Sequence, residues 1–237
     1  MRFRRYPVIL AYHCVSSEQT TETPTVTPAV FEQQVRYVAQ RYRLLTVSQA
    51  VREWLATGQW PSPTAVITFD DGEESVYLNA WPILRRFRVP ATIFMIAGNV
   101  GRPGWLTSSQ LQELARGGLE IGSHTLQHAY LPSISREQAR EEIRTSKEQL
   151  TQAVQQRVET LSYPAGGFSA DIQRLVQDAG YTAACTTNRL LTAHADGVID
   201  RWALRRIKMT QRSSHSFVLR AKCSGYYDSF HRLAPAC

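Results

Sequence analysis

Seven short apolar segments, separated by amphipathic stretches, most constrain what this 237-residue chain can fold into. They are rich in β-branched and aromatic residues and are bounded by turn-forming or polar residues, which predicts buried β-strands. The stretches between them repeat apolar residues with the period of a helix, as in successive β-α units. We therefore predict an α/β fold, a distorted (β/α)7 barrel that is complete or incomplete. The predicted strands are Val8 to Tyr12, Ala65 to Phe69, Ala91 to Ile96, Leu119 to Gly122, Thr160 to Tyr163, Thr182 to Thr186 and Leu204 to Met209.

The helices between these strands carry recognisable start and stop residues. Hydroxyl side chains precede several helical patterns, and glycines follow the last periodic apolar residue. The predicted starts are Thr27-Pro28, Ser48, Ser108 and the Ser135-to-Gln138 capping box, and the predicted stops are Gly58, Gly117 and Gly180. Residues 1–237 are predicted to form a single domain, in which Ser16 to Thr27 is a surface loop and residues 211–237 are an extension without a firm period.

Charge and composition argue against several classes of protein. The 27 Lys and Arg residues outnumber 20 Asp and Glu, but they are dispersed and no nucleic-acid recognition motif accompanies them. The excess is better interpreted as a solvated surface, one that could favour anionic polymers or membranes. No segment approaches the roughly 20 apolar residues of a membrane span, so we predict a protein that does not span the membrane. The oligomeric state is left open.

Two further inferences concern compartment and thiols. Val8 to Tyr12 is too short an apolar run for a signal peptide, so the chain at face value is cytoplasmic, and it is extracytoplasmic if a signal was removed. The four cysteines have no CxxC spacing, which argues against a thiolate metal site. They are interpreted as ordinary thiols, with a Cys223 to Cys237 bridge as the alternative.

Polar residues suited to catalysis or metal binding follow four of the predicted strands. His13, Asp70-Asp71, His124 and Tyr163-Pro164 each stand at a strand's carboxyl end. In a parallel barrel all these ends open onto one face, where active sites lie. We therefore expect residues that are far apart in sequence to meet there.

The sequence Asp70-Asp71-Gly72 places two carboxylates after a buried strand. Adjacent residues on an extended chain point in different directions, so one can bind a metal while the other serves as a base. The alternative is an acidic turn or a helix cap.

His124 and His128 are four residues apart, a spacing that lets two imidazoles bind one divalent ion. With one carboxylate they would leave coordination positions open for water and substrate. Such histidine pairs also arise without a metal, so the strand before them and the nearby aspartates carry the prediction.

Together, TFDDG and HTLQH resemble the first two motifs of the polysaccharide deacetylases, the NodB-homology or carbohydrate esterase family 4 group. The resemblance implies that Asp70 is the general base and that Asp71, His124 and His128 hold one divalent metal ion. Zinc is expected first, with cobalt, nickel and manganese as alternatives. The opening VILAYHCVS resembles a circularly permuted subgroup that includes poly-N-acetylglucosamine deacetylases, which implies that His13 is the catalytic acid; otherwise His13 is a satisfied polar residue.

The third motif of the family is matched only in part, by LSYPAGG. The resemblance implies that the backbone amide of Tyr163 helps bind the oxyanion. Ser162 replaces an arginine that pairs with the base aspartate in many members, so Asp70 lacks its expected partner. Arg206, in a segment resembling the permuted subgroup, is the candidate replacement, and a surface arginine is the alternative.

Trp105 is the best candidate for stacking on a sugar ring, because its loop should emerge on the catalytic side. The predicted function is metal-dependent removal of N-acetyl groups from N-acetylglucosamine-containing poly- or oligosaccharides, with an N-acetylated glycan as the partner and no nucleic acid. Two alternatives stay open. One is a deacylase of a small non-polymeric amide, and the other is a glycan-binding homologue without activity.

Overall fold

The computed structural model describes residues 8–18, 23–61, 63–187, 199–214 and 216–223. Each of the seven predicted segments contains a strand, and those strands are all parallel. The strands of the described residues are β1 (Val8–Tyr12), β2 (Cys14–Val15), β3 (Thr25–Val26), β4 (Arg43–Leu44), β5 (Thr64–Phe69), β6 (Thr92–Met95), β7 (Glu120–Ser123), β8 (Thr160–Ser162), β9 (Ala183–Thr186), β10 (Leu204–Arg205) and β11 (Ile207–Lys208).

The main sheet curls because its last segment pairs with both of its edges. Its order is β10-β9-β8-β7-β6-β5-β1-β11, with β4 attached to β5. Only Arg206 separates β10 from β11, yet Leu204 pairs with Cys185 of β9 and Ile207 pairs with Leu10 of β1. The segment therefore links the two ends of the sheet into a nearly closed barrel, which confirms the predicted α/β barrel.

The helices pack around this barrel, and their bounds are α1 (Pro28–Ala39), α2 (Val47–Thr57), α3 (Trp81–Phe87), α4 (Ser108–Arg116), α5 (Arg136–Val154), α6 (Ala170–Asp178) and α7 (Ser216–Cys223). A π-helical turn, Val76–Ala80, leads into α3. The Thr27 cap and the Ser135 capping box are confirmed.

Two predicted helix starts were wrong by one or two residues, whereas Gly117 caps the end of α4 as predicted. The caps of α2 and α4 are Thr46 and Thr107 rather than Ser48 and Ser108. In both cases a glutamine three residues after the threonine completes a capping box, which decides the start. Gly58 and Gly180 adopt left-handed backbones as predicted, whereas after α4 it is Gly118, not Gly117, that has a positive φ of 93°.

The segment Ser16 to Thr27 is not wholly a surface loop. Thr25 and Val26 are buried and pair with β2 in a small parallel sheet, while residues 19–22 lie outside the described part. In the carboxyl-terminal extension, α7 is helical and the Cys223 thiol is buried. Cys237 lies outside the described residues, and so does the predicted bridge. Among the described helices, none has the length and apolar character to cross a membrane.

Side chains that are adjacent along β1 and β5 point to opposite faces of the sheet, so they pack in two different apolar clusters. Leu10 and Ile67 pack in the larger core cluster with the surrounding helices. Ile9 and Val66 pack in a smaller cluster with residues of α2. Because side chains two apart share a face, Thr68 lies above Val66, on the side toward the carboxyl ends of the strands. The polar residues of the site lie at this end.

Candidate active site

The carboxyl ends of the strands bring the predicted metal ligands together. The Nε2 atoms of His124 and His128 lie 3.5 Å and 3.6 Å from Oδ1 of Asp71. The three ligand atoms all lie within 4.8 Å of one another. Asp71 and His128 both have positive φ angles, of 68° and 60°. These backbone bends turn the two side chains toward His124.

The environment of this cluster suits a divalent cation. Oδ1 of Asp71 is buried and has no hydrogen-bond partner among the described residues. Nδ1 of His124 lies 2.7 Å from the Ser162 carbonyl oxygen, so it carries the hydrogen and Nε2 presents its lone pair to Asp71. The His128 side chain is 43% exposed and that of His124 only 3%, so the cluster opens to solvent on one side. Two nitrogens and one carboxylate with an open side fit a catalytic metal site.

Burial has the largest effect on the pKa values of Asp71 and His124. Burial, together with the negative charges of Asp70 and Glu73, raises the pKa of Asp71 to about 7. Burial lowers the pKa of His124 to about 4, which keeps its ring neutral. A neutral imidazole is the form that binds metals, and a bound cation would stabilise the Asp71 carboxylate.

Asp70 is paired with Arg206 deep in the barrel. The Nη1 and Nη2 atoms of Arg206 donate to the two carboxylate oxygens at 2.6 Å and 2.7 Å. Both residues are almost fully buried, at 3% and 2% exposure. Arg206 is therefore not a surface arginine, and Asp70 has the charge partner that Ser162 cannot supply.

Two hydroxyls complete the surroundings of the guanidinium. Arg206 donates to Oγ of Ser162 at 2.7 Å and to Oγ1 of Thr68 at 3.0 Å. Sequence analysis treated Ser162 only as a departure from the family pattern and did not consider Thr68. The small serine leaves space for Arg206, which stands between β10 and β11 where the barrel closes.

This pairing decides the protonation state of Asp70. Burial alone would raise the pKa of Asp70, but the adjacent Arg206, with His124 and His13, outweighs it and holds that pKa well below its usual range. Asp70 is therefore ionised at neutral pH and can accept a proton.

His13 is a further residue close to the Asp70 carboxylate. Its Nε2 atom is 4.0 Å from Oδ2 of Asp70, and its side chain is 18% exposed. Burial lowers the pKa of His13, although the Asp70 carboxylate opposes this effect. His13 is thus within reach of both Asp70 and the open side of the pocket.

The predicted oxyanion role of the Tyr163 amide is wrong. That N–H donates to the Cys185 carbonyl at 3.0 Å, as part of the ladder between β8 and β9, so it is not available to a ligand. The ring is buried, stacks on Phe168, and donates its hydroxyl hydrogen to the Trp202 carbonyl at 2.9 Å. Tyr163 therefore anchors the loop after β8.

Trp105 lies beside the aspartate loop. The backbone of Trp105 forms an antiparallel bridge with Glu73, and the amide of Leu106 donates to the Gly72 carbonyl at 3.0 Å. The side chain is partly buried against the core. The structure thus brings Trp105 next to the site, and its contact with a sugar stays a prediction.

The chain is similar in sequence to known polysaccharide deacetylases. The family model described as polysaccharide deacetylase matches residues 57–184. The YxkH protein of Bacillus subtilis is 31% identical over 210 residues, which are 88% of this chain and 73% of YxkH. The poly-β-1,6-N-acetyl-D-glucosamine N-deacetylase of Staphylococcus aureus is 26% identical over 179 residues, covering 70% of this chain but 62% of that enzyme. The chain thus aligns with less than two thirds of the staphylococcal relative.

Solved structures share the fold. The Streptococcus pyogenes deacetylase PplD, determined in complex with acetate, superposes with a TM-score of 0.78 over 97% of this chain and 98% of PplD, at 24% identity. IcaB from Ammonifex degensii superposes with a TM-score of 0.79 over 92% and 97% of the two chains, at 23% identity. Given the matched family model and the similarity to YxkH, the chain belongs to the polysaccharide deacetylase family.

Proposed function

We propose that this protein is a metal-dependent N-deacetylase that releases acetate from N-acetylglucosamine units of a poly- or oligosaccharide. One observation carries the proposal: an ionised Asp70, paired with Arg206, lies next to the Asp71, His124 and His128 cluster at one end of the barrel. A base beside a metal-binding cluster is the arrangement that amide hydrolysis by water requires.

The Asp71, His124 and His128 side chains would hold one divalent ion, with zinc expected first and cobalt, nickel or manganese as alternatives. When bound, the ion would polarise the acetamide carbonyl and make a neighbouring water molecule more acidic. Asp70 then accepts a proton from water as its oxygen attacks the carbonyl carbon. Arg206 fixes the orientation of the Asp70 carboxylate through two hydrogen bonds.

His13 delivers a proton to the departing sugar amine. Because burial lowers its pKa, His13 is largely neutral at neutral pH and must first gain a proton. Asp70, 4.0 Å away, holds the proton taken from water and can pass it to His13. The carbon–nitrogen bond breaks as His13 protonates the nitrogen, leaving acetate and a free amine.

The substrate class is supported by the relatives. The staphylococcal proteins that align with this chain are named for poly-β-1,6-N-acetyl-D-glucosamine, at 26% identity. The alternative of a glycan-binding homologue without activity was kept open by Ser162 in place of the usual arginine, and the pairing of Arg206 with Asp70 counts against it. Tyr130 is half-exposed and follows His128 by two residues, and Trp105 pairs with Glu73 beside the aspartate loop, so these two aromatic residues are the candidates for contact with the sugar.

The test is acetate release from β-1,6-linked and β-1,4-linked N-acetylglucosamine oligomers, measured with each of the four metals. The wild type is compared with Asp70→Asn, Asp71→Asn and, as a control, Glu141→Gln on the exposed face of α5. We expect Asp70→Asn to keep metal affinity but lose about 10² to 10⁴-fold in turnover. Asp71→Asn should lose both metal affinity and turnover, and Glu141→Gln should lose neither. A wild type that binds metal yet releases no acetate from either oligomer would refute the proposed activity.

A further inference from the structure

We infer that Glu142 is a positioning residue that holds the loop between His124 and His128 in its metal-binding shape before any ion is present. The inference rests on the proposed metal site but concerns a different element, because Glu142 lies on α5 and is not one of the three clustered ligands. No sequence motif pointed to it, since α5 is a highly charged helix in which one more glutamate is unremarkable.

The loop needs such support because its backbone is strained. Thr125 and His128 have φ angles of 64° and 60°. Left-handed backbone is unfavourable for a non-glycine residue, and most of all for a β-branched residue such as threonine. Two such residues within four positions will relax unless the surrounding structure holds them.

Glu142 supplies the holding contacts from one side. Its Oε2 atom accepts hydrogen bonds from the backbone amides of Leu126 and Gln127, at 3.0 Å and 2.9 Å. These are the two residues between Thr125 and His128. The carboxylate is buried, and hydrogen bonds from amides to an ionised acceptor are roughly twice as strong as neutral ones.

The segment after β6 holds the same loop from the other side. The amides of Ala97 and Gly98 donate to the Thr125 and Leu126 carbonyls at 3.0 Å and 2.8 Å. A side chain at Gly98 would place its Cβ only 2.7 Å from the Leu126 oxygen. The loop backbone is therefore held on both sides. Among the described residues, Glu142 contacts the amides of Leu126 and Gln127, and the Ser123 hydroxyl accepts from the Thr125 amide at 3.1 Å.

The same segment also reaches the aspartate loop. The amide of Ile96 donates to the Asp71 carbonyl at 3.1 Å. Asp71 and the histidine loop are thus attached to one short stretch of backbone, and displacement of Leu126 would change the distance between His128 and Asp71. Glu142 would accordingly control metal affinity without touching the metal.

The experiment compares Glu142→Ala and Glu142→Gln with Glu141→Ala, the neighbouring glutamate on the exposed face of α5. Zinc dissociation constants are measured by competition with a chelator, and amide hydrogen exchange is measured in the metal-free proteins. We expect Glu142→Ala to weaken zinc binding about 10- to 100-fold, the usual effect of losing a group that orients metal ligands. Glu142→Gln keeps an acceptor oxygen without the charge, so its loss should be smaller. Glu141→Ala should match the wild type.

Exchange of the Leu126 and Gln127 amides gives a second readout that needs no metal. It should become at least about 10-fold faster in Glu142→Ala, while exchange in the barrel strands stays unchanged. Zinc binding within about twofold of the wild type in both Glu142 variants, or unchanged exchange at these two amides, would overturn the inference. If the wild type binds none of the four metals, the proposed function fails, and the amide exchange still decides the role of Glu142.

Discussion

Replacing Arg206 by methionine tests the central electrostatic feature of the site. The substitution keeps an unbranched apolar side chain but removes the guanidinium from the barrel interior, where Arg206 contacts both oxygens of Asp70. Asp70 is 3% exposed, so water cannot replace the lost partner. Removing one partner of a buried ion pair costs about 3–5 kcal/mol, and we expect the free energy of unfolding at neutral pH to fall by that amount.

The pH dependence of this loss identifies its cause. In the wild type the pKa of Asp70 is held below its unfolded value of about 3.9, so the pair stabilises the fold above that pH and the contribution is lost as pH falls through the folded pKa. In Arg206→Met, burial dominates and raises the pKa of Asp70 above about 3.9. The unpaired Asp70 carboxylate then destabilises the fold increasingly as pH rises. The difference between the two proteins should therefore be present already near pH 4.5 and should grow toward pH 7, as the unpaired carboxylate of the variant is forced to ionise.

Urea unfolding of the metal-free proteins at several pH values between about 4.5 and 7.5 measures this difference. Arg144→Met, which removes an exposed arginine of α5, is the control and should cost less than about 1 kcal/mol. The double variant with Asp70→Asn should recover part of the lost stability, because no charge is then stranded. A loss below about 1 kcal/mol at pH 7.5, or an equal loss at every pH, would refute the reasoning.

Three further predictions concern the remaining residues of the site. His13→Gln should lower turnover, measured as acetate release, about 10² to 10⁴-fold. The zinc dissociation constant, measured by chelator competition, should stay within about threefold of the wild-type value. A large loss of zinc affinity would contradict a purely catalytic role. Zinc affinity should increase as pH is raised through about 7. The reason is that the pKa of Asp71 is raised to about 7 in the metal-free protein, so its proton must leave when zinc binds. A calorimetric titration that shows no net proton release at pH 6 would argue against this. Trp105→Ala should raise KM for oligosaccharides about 2- to 12-fold with kcat nearly unchanged, the equivalent of one stacking contact of about 0.5–1.5 kcal/mol, whereas unchanged kinetics would remove Trp105 from the substrate site.

The amino-acid sequence alone determined the architecture and the metal-binding cluster. Seven apolar segments predicted the strands, because burial between a barrel interior and a helix layer imposes that pattern regardless of distant contacts. Asp71, His124 and His128 could be predicted because two short motifs contain them, and because parallel strands bring their carboxyl ends to one face. The capping residues were placed less accurately, since adjacent hydroxyl residues compete and only the reciprocal glutamine contact decides between them.

Only the tertiary structure decided how Asp70 is held and which backbone groups are available. Arg206 and Asp70 are 136 positions apart, and their pairing depends on β10 and β11 closing the barrel beside a small Ser162. The Tyr163 amide lies in a motif, yet the sheet ladder uses its hydrogen, which no local pattern reveals. Glu142 could not be predicted from the sequence for the same physical reason. Its partners are backbone amides, which nearly every residue carries, so only the packing of α5 against the loop distinguishes it from other glutamates.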